Sequence, residues 1–198
     1  PKNVELFREN IAELLAVASE VRRRPIAGIA AYKPPSSHPG NEPRVFDFAG
    51  MLGLPLAPCH EFPGDAPAGF FSLHALKDKE LPRRLAAFIA SGKPAIVTDG
   101  LAQRLEGAVD LKAPLVRVLP VRGDPASLLA LPRAEIDALR APALTALGRT
   151  FRAPARVALY LFADGSYVVE NFNDTDTTVD LDGAPLTVSA RNWRWSWK

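Results

Sequence analysis

Cys59, His60 and Glu61 are consecutive, the three side-chain types of a thiol hydrolase. A thiolate nucleophile needs an imidazole within hydrogen-bond reach and a carboxylate to orient that ring. Consecutive residues on a strand cannot supply this, because successive side chains point to opposite faces. His74, on the next predicted strand, is the imidazole that could approach Cys59 across the sheet, with Glu61 or Asp99 orienting it; the alternative is a thiol buried as packing. His38, His60 and His74 share no ligand spacing, so neither a metal nor another cofactor is expected. Trp193, Trp195 and Trp197 alternate with Arg194 and Ser196, which places all three indoles on one face of a strand. Exposed, such a row stacks on sugar rings; buried, it seals the module against the rest of the protein or a partner domain.

The elements that must hold these residues are legible in the pattern. From Phe70 to Gly107 the chain reads as a buried strand over Phe70–Leu76, an amphipathic helix, a glycine stop and a second buried strand over Pro94–Thr98. Leu81, Leu85, Phe88 and Ile89 share one helical face; Asp78 is placed to cap it, Pro82 suits its first turn, and Gly92 with Pro94 ends it. A strand apolar on both faces belongs inside a parallel sheet. Upstream, Asn3–Arg24 is a predicted helix, capped by Asn3, with Val4, Phe7, Ile11, Leu14, Leu15, Ala18 and Val21 at helical spacing. Ile26–Tyr32 then reads as one short strand, Lys33–Pro43 as a loop, Val45–Leu52 as a short helix and Leu56–Phe62 as a strand interrupted by Pro58. Leu115–Val121 is a further strand. Asp124-Pro125 opens a helical region that Pro132 restarts and Pro142 is expected to break. Asp99 is expected to cap a helix beginning near Leu101.

Beyond Pro154 the period changes to that of antiparallel strands. Asp164-Gly165 marks a two-residue hairpin between Arg156–Phe162 and Ser166–Phe172, and Thr177–Leu181 and Leu186–Trp197 follow as two more strands around Asp182-Gly183. The expected fold class is α/β: a parallel sheet with helices on both faces over residues 1–150, followed by a small antiparallel β-sandwich-like module over 151–198.

Composition narrows the partners. A net charge of +2 with scattered basic residues gives no electrostatic footprint for nucleic acid, and no apolar run reaches the roughly 20 residues of a membrane span. One cysteine excludes an internal disulfide framework. The chain starts at Pro1 without a methionine, so a piece of a longer polypeptide is expected.

The central helix followed by Gly92-Lys93-Pro94-Ala95-Ile96-Val97-Thr98-Asp99-Gly100, and the tail from Ala158 to Leu181, resemble the glutamine-amidotransferase-like, flavodoxin-like domain and small C-terminal β domain that follow the catalytic barrel in bacterial β-galactosidases with a trimerisation domain. That resemblance covers the chain from about Ile26 onward and implies a non-catalytic structural or assembly role beside a carbohydrate-active enzyme. Its implied partners are a homo-oligomeric copy, a missing N-terminal catalytic barrel, or carbohydrate. True amidotransferases carry a cysteine on the turn after the strand; here the resemblance puts Asp99 in that place, and a carboxylate cannot serve as the same acyl-transfer nucleophile. The alternatives are a Cys59-dependent hydrolase using His74 and a carbohydrate-binding module using the tryptophan row.

Overall fold

The computed structural model describes residues 2–198. The side chains of residues 2, 3, 6, 7 and 9 lie outside that description, and with them the expected Asn3 cap and the place of Phe7 on its helix face. Helix α1 (Lys2–Arg22) leads into β1 (Ile26–Ala27) and β2 (Ile29–Tyr32). The single strand expected over Ile26–Tyr32 is thus divided at Gly28, and its halves pair in different sheets: β1 runs antiparallel to β8 (Val157–Phe162), while β2 enters a parallel sheet. The reason is steric. A Cβ at Gly28 would lie 2.1 Å from the Pro55 carbonyl oxygen, so only glycine allows so close an approach of two backbones.

Strands β3 (Leu56–Cys59), β4 (Gly69–Phe71), β5 (Ala95–Thr98) and β6 (Val116–Leu119) join β2 in the order β3-β2-β4-β5-β6, every neighbour parallel. Among these five strands alone the order is 2-1-3-4-5, the flavodoxin-like winding. Helices cover both faces. α2 (Val45–Gly50) and α5 (Arg133–Ala146) pack on one side through Val45, Ala49, Ile136 and Ala143. α3 (Leu81–Ala90) and α4 (Asp99–Arg104) pack on the other through Leu81, Leu85, Phe88 and Leu101. Pro58 is tolerated because β3 is an edge strand, where a missing N–H leaves no ladder bond unmade.

Two expectations change here. The strand predicted over Phe70–Leu76 ends at Phe71, and Leu73–Lys77 forms a 3-10 turn. The Leu73 N–H goes to the Glu42 carboxylate at 3.1 Å instead of to a neighbouring strand, and the Ala75 N–H closes back on Ser72 at 2.8 Å. Pro142 does not break its helix but sits inside α5. The carbonyl left without an amide partner four residues earlier, that of Ala138, accepts from the Arg117 guanidinium at 3.4 Å.

The C-terminal module is a two-sheet sandwich. β7 (Phe151–Arg152), β10 (Thr177–Leu181) and β11 (Ala184–Val188) form one sheet; β1, β8, β9 (Tyr167–Asn171) and β12 (Asn192–Ser196) form the other. Leu159, Leu161, Val169, Val179, Leu181 and Val188 fill the space between them. The Asp164-Gly165 hairpin joins β8 to β9 as its sequence predicts. The last strand, expected over Leu186–Trp197, is instead two strands in opposite sheets, with Arg191 at φ 53° in the turn between them. Arg140 locks the module to the α/β unit. Only 1% exposed, it donates to Leu52 O and Ala153 O, both at 2.8 Å, pairs with Asp137 and lies 4.9 Å from the Phe151 ring centre. Among the described residues no helix is long and apolar enough to cross a membrane.

A candidate site at the switch point of the parallel sheet

In a wound sheet ligands sit outside the carboxyl ends of the strands, where the winding direction reverses. Here that point lies between β2 and β4. The chain leaves β2 into the loop 33–43 and leaves β4 into the 3-10 turn, so these two segments form its rim. The loop supplies Ser37 and Glu42 and the turn supplies His74.

Ser37 Oγ and His74 Nδ1 are 2.9 Å apart. His74 is 6% exposed, lies against the Phe46 ring at 5.5 Å between centroids, and has no further hydrogen-bond partner for Nε2 among the described residues. Burial, followed by the positive charge of Lys33, lowers its pKa, so the ring is neutral at pH 7. Glu42 stitches the strand ends together beneath this pair. Its Oε2 accepts from the Leu73 N–H at 3.1 Å and the Thr98 hydroxyl at 3.0 Å, while Oε1 is buried without a partner. Burial raises the Glu42 pKa, and the Leu73 N–H and Thr98 hydroxyl only partly offset it. Thr98 itself caps α4 by accepting from the Leu101 N–H at 3.4 Å.

Two cavities meet at His74. One, of about 1000 Å³, lies between the α/β unit and the sandwich and is lined by Phe46, Met51, Leu54, Tyr160 and Phe172 together with Ser37 and His60. The other, of about 660 Å³, has a lining of mixed polarity and lies over Gly100 and the start of α4.

The predicted site residues are dispersed around this point. Cys59 packs with the Tyr32, Phe62 and Phe71 cluster on the α3 side of the sheet, and burial raises its pKa. His74 stands with Phe46 at the α2 side. No hydrogen bond joins this thiol to this imidazole among the described residues, and His60, just past the end of β3, lines the larger cavity. Asp99 does not cap α4, since Thr98 holds that position. Its two carboxylate oxygens accept from the Gly100 and Arg122 N–H groups, each at 2.8 Å, and brace the turn after β5 against the loop after β6. His38 accepts from the Gly40 N–H at 3.0 Å. Among the described residues no three His, Cys, Asp or Glu side chains gather to hold a metal ion.

The three tryptophans share one face, but their rings do not form a flat platform. Trp193 and Trp195 meet at 61°, and Trp195 and Trp197 stack at 27°. The row seats α1: Trp193 Nε1 donates to Glu13 at 3.0 Å, and the Arg24 guanidinium lies 4.9 Å over Trp197. Trp195, 37% exposed, is the most open of the three, and Trp193 and Trp197 are half-buried.

Ser37 and Glu42 escape a composition-based reading, which sees only a Pro- and Ser-rich loop. The available signal is topological: a polar loop leaving the first strand of a wound sheet empties at the switch point. No family model matches the sequence, and neither a curated protein nor a solved structure matches the chain.

Proposed function

We propose that this chain is a non-catalytic assembly module of a larger carbohydrate-active protein, and that α1 joins it to a second copy of itself. The observation that carries the reading is the apolar seam on α1. Among the described side chains, Val4, Ile11, Leu14, Ala18 and Val21 fall on positions spaced by three, four or seven, the heptad spacing of helices that pair. The side of α1 bearing Glu13 and Glu20 faces the tryptophan row, Glu20 through Arg24 just past the helix end. The seam lies beside that contact: Ile11, Leu14 and Val21 are half-buried along it, and its outer edge stays open at Val4, 43% exposed, at Ala18 and at the adjoining Leu15, 62% exposed. A stripe of this kind on a 21-residue helix marks an interaction surface.

The carbohydrate setting rests on the order of elements resembling the accessory half of barrel-type β-galactosidases. The absence of an acyl-accepting side chain at Asp99, and the packing of Cys59 away from His74, support a role in holding surfaces together. Sedimentation equilibrium tests this. The expected result is a reversible multiple of the chain mass, which Leu15→Glu reduces to the single-chain mass. Loss of one buried leucine on each helix, about 1.5–3 kcal/mol apiece, corresponds to a weakening of self-association of at least about a hundredfold. A single-chain mass for the unaltered protein at every concentration overturns the proposal.

A further inference from the structure

We infer that the crevice beside His74, over Gly100, binds a small organic anion, a carboxylate or a phosphate monoester. Lys77 and Arg104 line it, and neither has an ion-pair or hydrogen-bond partner among the described residues. His38, Asn41 and Gln103 add polar groups around the same space, and no acidic side chain is among its lining residues. Unpaired cations around a concave, acid-free wall attract a negative ligand, because the walls concentrate their field. The second, independent feature is His74. It is nine-tenths buried, lines this crevice, and turns Nδ1 to Ser37, leaving Nε2 for whatever occupies the space. Nearby acids do not cancel the cations. Asp99 has both oxygens on backbone N–H groups, and Glu42 is sealed beneath Gly100, where a Cβ would come within 2.5 Å of its Oε1. A volume of about 660 Å³ suits a metabolite-sized ligand, and its position is the one wound sheets use for ligands.

In this assignment the ligand's charge lies between Lys77 and Arg104, and a neighbouring hydroxyl meets His74 Nε2. Neither cation packs in a core, so both can be changed without disturbing the fold. Isothermal titration of the whole chain with inorganic phosphate, and separately with lactate, tests the assignment. Saturable binding of at least one probe at millimolar concentration or tighter is expected, weakening as salt is raised. Lys77→Ala and Arg104→Ala should each weaken it about tenfold, and His74→Gln should weaken lactate more than phosphate. Lys79→Ala, outside the crevice, should leave affinity unchanged. Binding of phosphate alone assigns the phosphate monoester class, and binding of lactate alone the carboxylate class. No saturable binding of either probe up to about 10 mM, or unchanged affinity in the Lys77→Ala/Arg104→Ala double variant, overturns the assignment. The self-association described above does not involve this crevice, so each result stands apart.

Discussion

Arg140 gives the sharpest test of how the two units are held together. Its guanidinium reaches carbonyls on both sides of the junction, Leu52 after α2 and Ala153 after β7, each at 2.8 Å. Burial lowers its pKa against the pull of Asp137, and its Nε has no partner. The site therefore depends on the two carbonyl bonds and the Asp137 pair. Arg140→Ala leaves both carbonyls unpaired, at about 1–3 kcal/mol each, and the loss of one partner of a buried pair costs about 3–5 kcal/mol in total. The expected destabilisation is about 4 kcal/mol, which lowers the melting midpoint by roughly 8–16 °C in a chain of this size. Differential scanning calorimetry measures it. Arg140→Met separates charge from bulk: it keeps contact with Phe151 but supplies no donor, and should lose most of the same stability. An Arg140→Met protein as stable as the parent would show that packing alone, and not the bonds to Leu52 and Ala153, joins the units.

Two other perturbations follow from the backbone and from Glu42. Gly28→Ala puts a methyl 2.1 Å from Pro55 O; separating β1 from β2 at that point should cost at least about 2 kcal/mol, read as a lower urea midpoint, and an unchanged midpoint would contradict the steric account of the strand division. Glu42 has its carboxyl pKa raised by burial. An acid held this way keeps its full stability contribution below the unfolded carboxyl range, near 4.3, and loses it as pH rises toward and through its higher folded value. Glu42→Gln keeps an acceptor for Leu73 and Thr98 without that titration. From pH 4 to pH 7 the parent should therefore lose stability relative to Glu42→Gln in parallel urea titrations, and parallel pH profiles would refute the burial argument.

The parallel unit is legible from the sequence because its signals are local and agree. Leu81, Leu85 and Phe88 lie on one face, Gly92 stops the helix, and Ala95–Thr98 is apolar on both sides. What escapes is decided by contacts distant in sequence. The division of Ile26–Tyr32 depends on Pro55 pressing on Gly28, and the early end of β4 depends on Glu42 claiming the Leu73 N–H. Pro142 stays helical because Arg117, 21 residues upstream of Ala138, meets the freed carbonyl. The site follows the same rule. Cys59, His60 and Glu61 draw notice by adjacency, yet β3 ends at Cys59, which packs in the α3-side cluster, while His60 lines the larger cavity. Ser37 and His74 are 37 residues apart and meet only because the sheet reverses its winding between β2 and β4.

Amide hydrogen exchange across α1, followed at increasing protein concentration, tests most directly whether its exposed edge at Val4, Leu15 and Ala18 is covered by another copy. Protection of residues 4–21 should rise with concentration in the parent and stay low in Leu15→Glu, while the sheet strands exchange alike in both. Protection of α1 that is independent of concentration, or identical in the two proteins, would contradict the assembly role.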